Sequence, residues 1–433
     1  MEWYWHALVL FGMVVGFLLL GMPVAFGLGL AGVVGTLIFL SPAQLIQMGH
    51  IAFGRGTENV FIVAPLFILM AGLVARSGVA EQAFRASTKW LNWVPGSLAA
   101  GTVLACTAFA AVSGSSPLTA ATIGYVAVPE MLKHQYDKRL AVGAVSAGGT
   151  LGILIPPSVV MIIFGVITET SIAHLFIAGV IPGLVLSALL ILYVIVRCKL
   201  NPSLAPAGEP TTWRERWRSL RGIWAILLLF AGVMGSMYLG IATPTEAAAV
   251  GAGGALALAL FYRQMTWQRF WDVLVKSAQT TAMVVFLIIG GFTLSYVLSA
   301  LGVAHGVVED LLGAGVRPWQ AMLVYTIVLL ILGGLMDPVS MIVITLPLAF
   351  PVLKGMGYDP LWLGVVVTIL VEIGMITPPV ALNNFILQSV VPKEVTGDDI
   401  VMGSLSYVGV LLVGMLLVMA FPSLSTWLPS LMY

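Results

Sequence analysis

Residues 111–120 read Ala-Val-Ser-Gly-Ser-Ser-Pro-Leu-Thr-Ala, and residues 333–338 read Gly-Gly-Leu-Met-Asp-Pro. Each interrupts a long apolar stretch near its middle, the first over 95–131 and the second over 318–353. A membrane-spanning helix needs about 20 apolar residues, so each stretch has room for two crossings or for one hairpin. A polar Gly/Ser/Pro break at membrane depth is tolerated only where it lines a cavity or is buried in protein. The breaks therefore predict re-entrant hairpins whose tips stop inside the membrane.

The rest of the chain fits a membrane solvent. Of 433 residues, 60% are hydrophobic and 9% charged, and mean hydropathy is +1.06. Soluble domains run near 25% charged. Apolar runs at 5–20, 23–40, 58–76, 139–168, 171–196, 222–240, 243–262, 277–299, 360–390 and 399–422 predict crossings. With the N-terminus outside and both hairpins non-crossing, every Lys and Arg except Arg55, Arg317 and Lys354 falls inside. That is the expected positive-inside bias, and it puts both termini in the periplasm of a multi-pass bacterial inner-membrane protein. A crossing first hairpin would strand Lys133, Lys138 and Arg139 on the wrong side. The outside segment 41–57, with Arg55 and Glu58 near its end, reads as a loop. The N-terminal Trp3-Tyr-Trp lacks a preceding basic region, so it reads as an interfacial anchor and not as a cleaved signal. Net charge of +1 gives no electrostatic case for nucleic acid. Cys106 and Cys198 read as inert buried thiols.

The chain repeats itself. Pro23 matches Pro244, Gly78-Val-Ala matches Gly302-Val-Ala, Ser116-Pro117 matches Asp337-Pro338, and Ile155-Pro-Pro157 matches Thr377-Pro-Pro379. All four pairs lie in order at nearly one spacing. Each half then has five crossings and one hairpin, and an odd number of crossings inverts the second half. The division is a first repeat over 1–200 (hairpin 95–131, broken helix 139–168), a charged cytoplasmic linker over 201–221, and a second repeat over 222–433 (hairpin 318–353, broken helix 360–390). The fold class is an all-α polytopic membrane protein. Three groups share a helical face between basic residues: Phe84, Thr88 and Leu91; Trp213, Trp217 and Leu220; Trp267, Trp271 and Leu274. They predict helices lying in the membrane plane against lipid.

The chemistry concentrates at the breaks. A turn at membrane depth frees carbonyls and hydroxyls for a small cation, and N–H groups for an anion. Gly148-Gly-Thr-Leu-Gly-Ile-Leu-Ile-Pro-Pro-Ser158 and Gly374-Met-Ile-Thr-Pro-Pro379 are helices broken by a double proline, which removes two donors. Asp337 is an acid at a mid-membrane tip, where a charge is costly and marks function. No Lys or Arg falls inside a predicted run to neutralise it, so a bound cation is expected. Glu246 near a helix start reads as a cap, and Glu372 as packing or capping. Asn383 and Asn384 can reach substrate or join helices. Enzymatic readings find no support. The five histidines lack HExxH spacing, no serine sits in a nucleophile elbow, and no GxxxxGK[ST] loop exists.

Ser113-Gly-Ser-Ser-Pro-Leu-Thr-Ala-Ala-Thr-Ile-Gly124, Leu154-Ile-Pro-Pro-Ser158, Ala242-Thr-Pro-Thr-Glu-Ala247 and Ile376-Thr-Pro-Pro379 resemble the large membrane subunit of TRAP (tripartite ATP-independent periplasmic) transporters. The resemblance covers essentially the whole chain. It implies sodium-coupled import of an organic anion, usually a carboxylate such as a dicarboxylate or sialic acid, by an elevator motion of a transport domain against a scaffold. It implies a small four-helix membrane subunit, here expected as a separate chain, and a soluble periplasmic binding protein. It implies no organic cofactor and no metal besides sodium. Carried onto this sequence, one sodium site involves Ser113, Gly114, Ser115, Ser116, Gly149, Gly152, Ile155 and Pro156. A second involves Gly334, Met336, Asp337, Gly374, Thr377 and Pro378. The substrate carboxylate is expected near Ser115, Ser116, Ser158, Asp337 and Asn383. Alternatives are a self-sufficient sodium- or proton-coupled anion carrier of similar architecture and a channel-like subunit.

Overall fold

The apolar runs become helices in two successive series. The first comprises α1 (Trp3–Leu19), α2 (Val24–Phe39), α3 (Leu45–Thr57), α4 (Val63–Ala75), α5 (Val79–Trp90), α6 (Ser97–Ser113), α7 (Ser116–Lys133), α8 (Lys138–Leu154), α9 (Val159–Thr168) and α10 (Ile172–Leu200). The second comprises α11 (Trp213–Tyr238), α12 (Pro244–Phe261), α13 (Trp267–Ala300), α14 (Val303–Gly313), α15 (Pro318–Gly333), α16 (Pro338–Gly355), α17 (Pro360–Ile376), α18 (Leu382–Val390) and α19 (Gly397–Ala420). This computed structural model describes residues 3–58, 62–206, 208 and 211–432, without the side chains of Arg55 and Leu312. Among the described residues there is no strand. Any role for the Arg55 side chain therefore lies outside the described residues.

The helix boundaries follow the sequence spacing. Helices α6 to α9 begin at 97, 116, 138 and 159, and α15 to α18 begin at 318, 338, 360 and 382. In each series a broken apolar stretch becomes two antiparallel-capable helices, and a Pro-Pro stretch becomes a long and a short helix.

Two of the three stretches expected to lie in the membrane plane do not stand alone. Trp213 and Trp217 open α11, and Trp267 and Trp271 open α13, which runs unbroken for 34 residues. The Thr212 capping box starts α11 inside the charged linker, and Thr266 caps α13. Nothing after either polar start breaks the helix, so it propagates into the apolar run. In the first series the stretch matching α13 is divided into α3 and α4. The third stretch is a separate helix: α5 turns from α4 by 67° at Gly78, whose φ is 78°. It buries Phe84 and leaves Arg85 and Lys89 exposed. Its Thr88 meets α6 where only glycine fits, since a Cβ on Gly101 would lie 2.8 Å from the Thr88 Cα.

Helices α8 and α17 form the centre. Every residue from Leu140 to Leu154 and from Trp362 to Ile376 is buried. Helices buried on every face belong inside a bundle. Close approach of α8 to α19 rests on Gly143, where a Cβ would sit 2.6 Å from the Gly403 carbonyl oxygen, the small-residue contact typical of membrane helices. Glu246 is the cap expected of it: its Oε2 accepts from the Thr243 backbone N–H at 2.8 Å, closing a capping box at the start of α12. Both thiols are buried as expected.

Candidate functional site

Both hairpin tips reach one cavity of about 440 Å³. Ser115 and Ser116 line it from the first tip and Asp337 from the second. Helices α4 and α13 line it as well, through residues that include Arg76, Lys276 and Thr280.

The first tip docks onto the first Pro-Pro break. Gly114 ends α6 with φ of 60°, and a Cβ there would lie 2.5 Å from the Pro157 carbonyl oxygen. Glycine is thus required twice, for the left-handed turn and for the contact. A Cβ on Gly152 would lie 2.6 Å from the Ser115 carbonyl oxygen. The Ser113 and Thr119 hydroxyls are 2.6 Å apart. Ser116 Oγ is 2.9 Å from the Gly149 carbonyl oxygen. Serine oxygens and backbone carbonyls of Ser113–Ser116 and Gly149–Pro156 are therefore neighbours, a hard-oxygen set suited to a small cation. Ile155, Pro156 and Pro157 are all buried.

The second tip docks onto the second break in the same manner. Gly333 and Gly374 touch backbone to backbone, and a Cβ on Gly374 would lie 2.6 Å from the Gly333 Cα. The Val380 N–H donates to the Gly334 carbonyl at 2.8 Å. Asp337 caps α16: Oδ1 accepts from the Val339 and Ser340 N–H groups at 3.0 and 3.1 Å, and the Ser340 hydroxyl donates to Oδ2. Thr377 Oγ1 donates to the Ile373 carbonyl at 2.6 Å, and Met336 is half-buried. Here the break differs from its counterpart, because Pro378, Pro379 and Val380 are exposed. Both Pro156–Pro157 and Pro378–Pro379 are cis.

Not every expected substrate residue faces the cavity. Ser158 is fully buried and caps α9, accepting from the Met161 N–H at 3.2 Å. Asn383 is also fully buried, and its Nδ2 donates to Ser116 Oγ at 2.7 Å behind the tip. Asn384 joins helices: it accepts from Ser146 Oγ at 2.5 Å and donates to Ser404 Oγ at 2.7 Å. These bonds tie α18 to α7, α8 and α19.

Three features were not read from the sequence. Lys276 lies inside the continuous α13 and lines the cavity, so the expectation that no cation falls in a spanning segment is corrected. Arg76 follows α4 and lies 3.7 Å from Asp272, whereas Lys276 has no ion pair among the described residues. Glu372, rather than capping a helix, sits 2.8 Å from Ser116 Oγ through Oε2. The signals were present as an acid within an apolar run and as basic residues at run ends. What they meet depends on the tertiary arrangement.

The profile of the family described as "Tripartite ATP-independent periplasmic transporter, DctM component" matches residues 11–424. The chain is 36% identical to a protein of Vibrio cholerae named "C4-dicarboxylate TRAP transporter large permease protein DctM", over 98% of this chain and 97% of that protein. It is 36% identical to a protein of the same name from Pseudomonas aeruginosa, over 93% of each. Its fold is similar to the crystal structure of the Alcanivorax borkumensis YdaH transporter, with a TM-score of 0.61 and 16% sequence identity, over 90% of this chain and 89% of that one.

Proposed function

The chain belongs to the DctM-component family of tripartite ATP-independent periplasmic transporters, and from that premise we propose that it is the large permease of a sodium-coupled importer of C4-dicarboxylates. The observation that carries the site assignment is the meeting of two oxygen-rich hairpin tips at one cavity that Lys276 also lines. Sodium held at the Ser113–Ser116 and Asp337 tips offsets the Asp337 charge. The dicarboxylate then lies between the tips and Lys276. Ser158 and Asn383 act behind the tips as supports. Binding of the two charges is linked, so sodium raises anion affinity and the anion raises sodium affinity by the same factor.

In this reading the two helix series are inverted repeats. The hairpins and broken helices α6–α9 and α15–α18 form a transport domain, which slides as an elevator along a scaffold that includes α4 and α13. The protein lies in the bacterial inner membrane with both termini periplasmic. It works with a small four-helix subunit and a periplasmic binding protein that delivers substrate. Exposed apolar side chains such as Leu19, Phe286 and Leu416 meet lipid.

The test uses the complex in proteoliposomes with loaded binding protein. Succinate uptake is expected to require an inward sodium gradient, and the melting temperature is expected to climb with sodium but not with equal choline, by mass action. Uptake that is indifferent to sodium overturns the coupling. Uptake without binding protein overturns the tripartite assignment in favour of a self-sufficient carrier. Substituting Lys276→Gln is expected to raise the KM for succinate about tenfold with kcat little changed, as for a lost charge-assisted contact. An unchanged KM removes Lys276 from the anion site.

A further inference from the structure

Helices α5 and α11 pack against each other away from the hairpin tips and leave a cavity of about 410 Å³ between them. Arg85, Thr88 and Lys89 line it from α5, and Arg218, Ser219 and Gly222 from α11. Two contacts join the helices there. A Cβ on Gly222 would lie 3.3 Å from the Gln82 Cβ, and the Trp90 and Trp217 rings stand edge to face with centroids 5.7 Å apart.

Among the described residues the lining carries three cations and no acid. Arg85 has one partner, Glu81 on its own helix, which leaves most of its five donors free. Lys89 and Arg218 are exposed and have no ion pair among the described residues. The other acid on these two helices, Glu215, caps α11: its Oε2 accepts from the Thr212 N–H at 2.9 Å. Lys89 attracts it without forming an ion pair. The two hydroxyls have no hydrogen to spare, since Thr88 donates to the Phe84 carbonyl at 3.0 Å and Ser219 to the Arg216 carbonyl at 2.6 Å. Recognition at this cavity therefore falls to the cations, and like charges gathered in one cleft concentrate an anion.

The surroundings say which anion. Trp93, Trp213 and Trp217 are exposed, and exposed tryptophans mark the boundary between headgroups and hydrocarbon. Further along α11 the exposed side chains turn apolar, at Trp224, Leu227 and Leu228. Leu228 lies about 15 Å along the helix axis from Arg218. A ligand here meets cations at one end and an apolar track at the other. A soluble phosphate matches only the first of these; a phospholipid matches both.

We propose that this cavity binds the phosphate headgroup of an anionic phospholipid, which bridges α5 to α11 and lays its acyl chains along Trp224 and Leu228. The two guanidinium groups suit paired hydrogen bonds to phosphate oxygens, and Lys89 adds a point charge. Basic pockets between membrane helices bind such headgroups. The site depends on α11 spanning the membrane and not on the transported ion or anion.

The test titrates the intact, delipidated complex in detergent with short-chain phosphatidylglycerol and follows the melting temperature. A saturable rise is expected, and its absence overturns the site. An equal rise with phosphatidylcholine of the same chain length overturns the preference for an anionic lipid. An equal rise with glycerol 3-phosphate overturns the lipid as source of the phosphate. In the double variant Lys89→Gln/Arg218→Gln the phosphatidylglycerol midpoint is expected to climb roughly 25-fold, about fivefold for each basic residue lost. Both side chains are exposed, so the lipid-free melting temperature is expected to stay put. The comparison is Arg214→Gln/Arg263→Gln, which removes equal charge from exposed positions outside the cavity and is expected to keep the wild-type midpoint. Equal weakening in the two double variants overturns a defined site in favour of diffuse attraction, and an unchanged midpoint in Lys89→Gln/Arg218→Gln overturns the residues assigned. Loss of the small subunit from that variant overturns the lipid in favour of a protein occupant.

Discussion

Substitution of Asp337 by Asn is expected to weaken sodium binding by roughly 10- to 100-fold, the equivalent of one lost charge-assisted interaction of about 1.5–3 kcal/mol. Asn is the informative replacement because Asp337 does two things. It caps α16 through the Val339 and Ser340 N–H groups, and it lines the cavity with its charge. Asn caps a helix about as well as Asp, so the helix start survives while the charge goes. Replacement by Ala removes both and adds a cap loss of about 1 kcal/mol. The expected pattern is therefore a near-normal melting temperature without sodium for Asp337→Asn, a sodium-induced rise that is smaller and displaced to roughly 10- to 100-fold higher sodium, and uptake near background in both variants. A sodium midpoint in Asp337→Asn equal to the wild type would sink the assignment of Asp337 to a cation.

The second large effect is steric. Gly374→Val is expected to reduce uptake to background and to destabilise the protein by about 1–3 kcal/mol, the usual cost of overpacking a tight interior. A Cβ at this position would lie 2.6 Å from the Gly333 Cα and 3.0 Å from the Gly333 carbonyl carbon. Both obstacles are backbone, so no rotamer change relieves them. The second hairpin must back away from the broken helix, and the oxygens proposed to hold the cation go with it. Gly409 on α19 provides the comparison, since a Cβ there meets nothing within 4 Å. Gly409→Ala is expected to leave uptake unchanged and to hold or slightly raise stability, because Ala favours helix over Gly. Normal uptake in Gly374→Val would show that contact of tip and break is dispensable.

These two tests probe different layers of what the chain encodes. The order of helices was legible in the sequence because lipid imposes a hard rule: backbone groups must be paired within each segment, so every long apolar run becomes a helix. The hairpins and Pro-Pro breaks were legible for the complementary reason, since polar turns at membrane depth demand a cavity or a protein partner. The spacing of Ser116-Pro117 and Asp337-Pro338, and of the two Pro-Pro pairs, reappears as matching helix starts. Helix α5 was legible as an amphipathic segment. The starts of α11 and α13 were misread, because an amphipathic turn and the first turn of a spanning helix have the same residue pattern, and only the absence of a break between them separates the two.

What the sequence could not supply is which polar groups meet. Lys276 and Asp337 are distant in sequence and line one cavity only because α13 packs beside α16, the helix that Asp337 caps. Ser116, Glu372 and Asn383 come from three helices of both series and share a single hydroxyl. Ser158 and Asn383 sit beside the expected site in sequence yet face the protein interior, because helix rotation after each break is set by packing against neighbours. A one-dimensional pattern fixes which segments enter the membrane and where they break, through local hydrogen-bond and solvation costs. The direction in which each side chain then points is settled by close packing of whole helices, and that is a property of the assembled tertiary structure alone.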